Sequence, residues 1–143
     1  MNPAHRTLRW SASAGVAACV ALFMIGAVAD EKKVNWAQDV LPILSRDCTG
    51  ADCHGAGFRA EDLDLETDAY KAIFKVKSTQ QPKLMIVAPK SAKESYLWHK
   101  ISGTHKSDEV KGKGETMPLS RGMLEKKDLE KIKAWIEQGA GKD

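Results

Sequence analysis

Cysteine is scarce, three residues in 143. No second cysteine pair stands elsewhere to complete the roughly four ligands of a structural zinc site. The chain carries no nucleophile elbow, no phosphate-cradling glycine loop and no paired-carboxylate signature, which removes the sequence grounds for hydrolysis or group transfer. Positive charge is not gathered either: 22 Lys and Arg stand against 19 Asp and Glu, without the concentrated basic face that nucleic acid selects. There is no internal repeat and no low-complexity tract. The apolar run Lys83 to Ala88, bracketed by Pro82 and Pro89, is too short to imply a sheet. What is left is one domain of ordinary size with a short appendage.

The appendage is at the front. Arg6 and Arg9 precede Ala12 to Val28, which is apolar or small throughout, and Ala27-Val28-Ala29 has the A-x-A form of a cleavage site. Residues 1–29 therefore read as an export signal, with an uncleaved membrane anchor as the rival reading. A cut after Ala29 leaves 114 of the 143 residues. It discards Cys19, so Cys48 and Cys53 become the only thiols of the domain 30–143. Without Arg6 and Arg9, 20 basic residues face 19 acidic ones, a net charge of +1 with His neutral.

The chemistry concentrates in Cys48-Thr49-Gly50-Ala51-Asp52-Cys53-His54. In the Cys-x-x-Cys-His signature each sulfur forms a thioether to a haem vinyl group and the adjacent His becomes an axial iron ligand. Here the spacer is four residues, a widened form, and Gly50 offers backbone angles that let the extra residues loop out. A Cys48–Cys53 disulfide in an oxidising compartment and a zinc site stay open as other uses of these side chains.

Around this stretch the pattern predicts helices. Asn35 reads as an N-cap with Gln38 completing a capping box, and Trp36, Val40, Leu41 and Leu44 face the core; Pro42 predicts a kink or break before Cys48. A short helix is expected around Thr67 to Phe74. Ser91 with Glu94 reads as a second capping box, with Gly103 as the helix stop. His105 to Glu115 reads as a loop that leads to Met117-Pro118-Leu119. Leu129, Ile132, Trp135 and Ile136 make the clearest amphipathic face, and Gly139 stops that helix.

An iron held by His54 has a sixth position, for which Met117, His99, His105, Met85 and Met123 are the candidates, along with no ligand at all. Met117 follows a polar loop, precedes a stiffening proline and lies 63 residues after His54. A gap-filling core methionine is the competing role. Phe58, Leu84, Ile86, Leu97 and Leu119 are the expected walls of a haem cleft.

Taken together, Trp36 to Leu44, Cys48 to His54, Ser95 to Ile101, Met117-Pro118-Leu119-Ser120 and the ending Ala134-Trp135-Ile136-Glu137-Gln138-Gly139-Ala140 resemble the single-haem c-type cytochrome domains of the planctomycete-type cytochrome c group. The resemblance spans nearly all of residues 30–143. It implies an all-α, class I-like cytochrome c fold, with the first and last helices packed across each other and one covalent haem c in the cleft. It further implies thioethers at Cys48 and Cys53, with His54 and Met117 as axial ligands to the iron. The four-residue spacer departs from the usual pattern of that family.

The function this implies is that of a periplasmic electron carrier. It is not itself an enzyme, works with redox partner proteins and not with nucleic acid, and meets the membrane only if residues 1–29 are retained. A cytochrome subunit of a larger oxidoreductase, or a haem enzyme or sensor with a displaceable sixth ligand, is the alternative. Lys106, Lys111 and Lys113 flank the segment that delivers Met117 and are placed to steer an acidic partner; a merely solvated loop is the other reading.

Overall fold

The first turn of the chain is set by Asn35, whose side chain accepts the Gln38 N–H at 2.9 Å while its own N–H donates to Asp39 Oδ2 at 3.0 Å. The cap is thus reciprocal as expected, but Asp39 supplies the return bond. These residues belong to a computed structural model that describes residues 32–119 and 121–142. The expected export signal 1–29, with Cys19, lies outside the described residues.

All the regular secondary structure of the described residues is helical. A π-helical turn, Trp36–Val40, runs directly into α1, Leu41–Asp47. Pro42 does not break the helical run, which continues to Asp47. It falls in the first turn of α1, where its missing N–H has no intrahelical partner to lose, and the turn before it widens so that the Leu41 N–H reaches the Trp36 carbonyl. α2, Ala69–Ile73, is capped by Asp68, which accepts the Lys71 N–H at 3.2 Å.

α3 spans Tyr96–Ile101, one turn later than the Ser91 signal predicts. The Glu94 N–H does bond Ser91 Oγ at 3.2 Å, but this closes a turn. The chain turns there because Ser95, fully buried, ties that turn to the preceding segment: its Oγ accepts the Ala88 N–H at 2.9 Å and donates to the Ser91 carbonyl at 2.8 Å. Gly103, at φ +75°, ends the helix in the left-handed conformation. The Lys83 to Ala88 run is extended only in isolated bridges, Phe74 with Val87, Lys77 with Met85 and Met85 with Ser95.

α4, Lys126–Glu137, buries Ile132, Trp135 and Ile136 and half-buries Leu129. It stops in a paired motif, Gly139 N–H to the Ile136 carbonyl at 3.0 Å and Ala140 N–H to the Trp135 carbonyl at 2.8 Å. The first and last helices pack together: the Trp36 and Trp135 rings lie 5.1 Å apart, Tyr70 meets Trp36 edge-on at 5.3 Å, and Arg46 bridges to Asp128 at 2.6 Å. Val40, Leu44, Ile73, Ile101, Ile132 and Ile136 fill the core between these rings and α3. Each such side chain contributes about 1.5–3 kcal/mol by leaving water. This core leaves the other side of α3 and the end of α1 facing a cleft.

Candidate functional site

α1 delivers Cys48 to the cleft as its C-cap residue, the Cys48 N–H bonding the Leu44 carbonyl at 2.8 Å. The chain then makes a wide turn closed by the His54 N–H on the Cys48 carbonyl at 3.0 Å, and this holds both cysteines on one wall despite the four-residue spacer. Gly50 is not what permits the turn. Its φ is not positive, and an added Cβ would sit 3.8 Å from Cys53 Sγ, an ordinary contact.

Cys48 and Cys53 are both free thiols, with no disulfide between them. Burial, helped by the Asp47 carboxylate, pushes the Cys48 thiol up to about 12. Among the described residues no three His, Cys, Asp or Glu side chains gather as a metal-holding group.

His54 is half-buried, and its Nδ1 lies 2.9 Å from the Ala60 carbonyl. A carbonyl only accepts, so Nδ1 carries a proton, and in the neutral imidazole the lone pair is then on Nε2. Nε2 has no hydrogen bond among the described residues. This is the arrangement in which a backbone acceptor orients an imidazole for ligation. The acceptor is held by further local bonds, Ala60 N–H to the Cys53 carbonyl at 3.0 Å and Leu65 N–H to the His54 carbonyl at 2.7 Å. Arg59, Glu61 and Asp62 all take positive φ, between 50° and 58°, a left-handed backbone that costs about 1–2 kcal/mol per residue. The backbone that brings the Ala60 carbonyl to His54 Nδ1 is therefore strained. Asp64 stabilises the next turn by accepting from Glu66 N–H, Thr67 N–H and Thr67 Oγ1 at 2.8–2.9 Å.

The cleft has a volume of about 370 Å³, within the usual range of cofactor pockets. Cys48, Cys53, His54 and Met117 all line it, Met117 coming from the opposite part of the chain with its N–H on the Lys100 carbonyl at 3.0 Å. Of the expected walls, Ile86, Leu97 and Leu119 line the cleft, joined by Leu63, Leu65 and Ile101. Phe58 and Leu84 do not, and Phe58 is 57% exposed.

The other candidate ligands lie elsewhere. Both nitrogens of His99 are engaged, Nδ1 with Thr104 Oγ1 and Nε2 with the Lys93 carbonyl, each at 2.8 Å. Met85 and Met123 do not line the cleft. His105 lies in a loop, as its segment predicts, but is buried there: it is 1% exposed and its Nε2 meets the Gly114 carbonyl at 3.0 Å.

A second part of the cleft lining holds residues that the sequence pattern does not single out for a site, Tyr96 and Lys100. Tyr96 donates to the Lys113 carbonyl at 2.7 Å, and Lys100 reaches Gln80 Oε1 at 3.1 Å. Two glycines let the 105–115 backbone settle on these side chains. A Cβ on Gly112 would lie 2.5 Å from the Tyr96 ring, and one on Gly114 would lie 2.9 Å from Lys100 Nζ. Glycine in this polar stretch reads as loop composition, but its role is close approach.

No protein-family model, no curated protein and no solved structure matches the chain.

Proposed function

We propose that this chain is an exported single-haem c-type cytochrome of class I-like fold that carries single electrons between redox partner proteins. The observation that carries the reading is that one apolar cleft is lined by Cys48, Cys53, His54 and Met117 together. In this reading Cys48 and Cys53 would tether haem c, and His54 Nε2 and the Met117 sulfur would hold its iron. Haem c supplies a one-electron iron couple, and a His/Met ligand pair favours the reduced state relative to two His ligands.

The chain's own residues account for the rest. The Ala60 carbonyl fixes the tautomer and orientation of His54. Leu65, Ile86 and Leu97 keep water from the cleft, which disfavours the more highly charged oxidised state. Val76 and Leu119, 39% and 67% exposed, form an apolar rim through which a partner's cofactor approaches. Of the three lysines near Met117, Lys106 is already paired with Glu115 at 3.0 Å. Lys111 and Lys113 form no ion pair among the described residues. Export, periplasmic location and any membrane attachment rest on residues 1–29. No helix among the described residues is long and apolar enough to cross a membrane.

Absorption spectra of protein matured in a periplasm test this reading, taken oxidised and reduced, with and without carbon monoxide, beside Met117→Ala. The expected result is a low-spin spectrum with a sulfur-to-iron band near the red end that the variant loses. A wild type that is high-spin or binds carbon monoxide replaces the carrier by a haem enzyme or sensor with an open sixth site. A wild type without haem ends both readings.

A further inference from the structure

Lys100 is 7% exposed and lines the cleft. Its ammonium has three N–H donors, and the acceptors it meets are neutral: Gln80 Oε1 at 3.1 Å and the Lys113 carbonyl at 3.4 Å, with the Tyr96 ring centroid at 5.9 Å. No carboxylate lies within ion-pairing distance of Nζ among the described residues. The charged groups that face it from farther away are Glu115, Glu61 and Lys106, and Glu115 is taken by Lys106. A buried cation without a counter-charge is costly, and natural chains supply it with one. Here the surroundings are built to keep it. Gly114 at φ +75° brings its backbone against Nζ and Gln80, where any Cβ would lie under 3.0 Å from both.

We infer that Lys100 is the counter-cation for an acidic group of the cleft's ligand, a haem propionate. The inference rests on the haem reading above. Haem carries its propionates on the half of the ring away from the thioether-forming vinyls, and Lys100 lines the same cleft as Cys48 and Cys53 from another segment of the chain. A carboxylate beside Nζ gains a charge-assisted hydrogen bond and removes the penalty of the lone buried charge. Gln80 Nε2, which has no hydrogen bond among the described residues, is a second donor beside it. A cation held against the propionate also makes the reduced iron easier to reach.

The test compares matured wild type with Lys100→Met, which keeps the length of the stem without the charge, and with Lys100→Arg. Haem content, midpoint potential and the infrared redox-difference bands of the propionate carboxylates are read for each. Lys100→Met is expected to hold haem with a low-spin spectrum, at a lower midpoint potential and with a shifted carboxylate band. Lys100→Arg is expected to restore the potential and to move the band in its own way, because guanidinium pairs in a fork. A Lys100→Met protein that holds haem at the wild-type potential with an unmoved band overturns the inference and leaves the haem reading standing. If Lys100→Met does not accumulate, Lys100→Arg decides alone, and a carboxylate band at its wild-type position overturns the proposal. A wild type lacking haem overturns both at once.

Discussion

The two walls of the cleft are made in different ways. The wall of Cys48, Cys53 and His54 is local: its hydrogen bonds run between residues no more than 11 positions apart, as in Leu65 to His54. The wall of Tyr96, Lys100 and Met117 is assembled from distance. Gln80 comes to Lys100 across 20 residues, Tyr96 to Lys113 across 17, and the Gln81 amide donates to the Val110 carbonyl across 29. A local wall is specified by a short motif, whereas a distant one needs the whole domain folded before any of its members meet. Chemistry that must be ready early, such as thioether formation, suits the first, and ligation that completes the fold suits the second.

This contrast can be broken most decisively on the local wall. If the chain carries haem as proposed, replacing both Cys48 and Cys53 by Ser is expected to abolish its covalent attachment, so that peroxidase staining of the denatured protein falls to background. Met117→Ala on the distant wall leaves that staining intact. If the double variant still stains, the local wall is not the attachment site.

Beneath both walls, Trp135→Ala removes the ring that packs on Trp36 and lines the core at 1% exposure. It is expected to cost about 3–5 kcal/mol, measured by denaturant unfolding. Such a loss should weaken the distant wall first.

The glycines sharpen the comparison. Gly112→Ala forces a methyl to within 2.5 Å of the Tyr96 ring and 2.8 Å of the His105 carbonyl, an overpacking worth about 1–3 kcal/mol. It should also weaken the sulfur-to-iron band without reducing haem content. Gly57→Ala, on the local side, meets nothing within 4 Å and is expected to change stability by no more than about 0.5 kcal/mol. Equal effects at the two positions would remove the distinction.

The smallest effect is acidic. Thr67 N–H and hydroxyl and Glu66 N–H hold the Asp64 carboxyl below its ordinary value of 3.8. A carboxylate whose folded value is depressed adds stability above its unfolded value and loses it as pH falls through the folded one. Asp64→Asn should therefore lower Tm slightly at neutral pH and flatten its decline below about pH 4. A Tm profile parallel to wild type down to pH 3 would show that this turn adds nothing.

The helices were legible where the signal was local and periodic. The Asn35 cap, the α4 stripe of Ile132, Trp135 and Ile136, and the Gly139 stop all depend on residues within a few positions of one another. The start of α3 was misread because the Ser91 signal, though its hydrogen bond forms, is overruled by Ser95, whose hydroxyl serves Ala88 and Ser91 at once. The helical run passes Pro42 unbroken for a related reason: a π turn one step earlier lets the Leu41 N–H reach the Trp36 carbonyl, which a regular helix does not offer. His105 and Lys100 gave no sequence signal of burial, since a polar residue in a polar stretch looks solvated until a glycine-lined backbone closes over it.

By itself the sequence determined a helical domain and the spacing of Cys48, Cys53 and His54, because capping, helical period and motif spacing act over a few residues. Tertiary structure alone decided that Met117, and not His99 or His105, lines the cleft with them. It also decided that Lys100 is buried there with no carboxylate within ion-pairing distance among the described residues. Both depend on packing between segments tens of residues apart, and no short-range pattern encodes that.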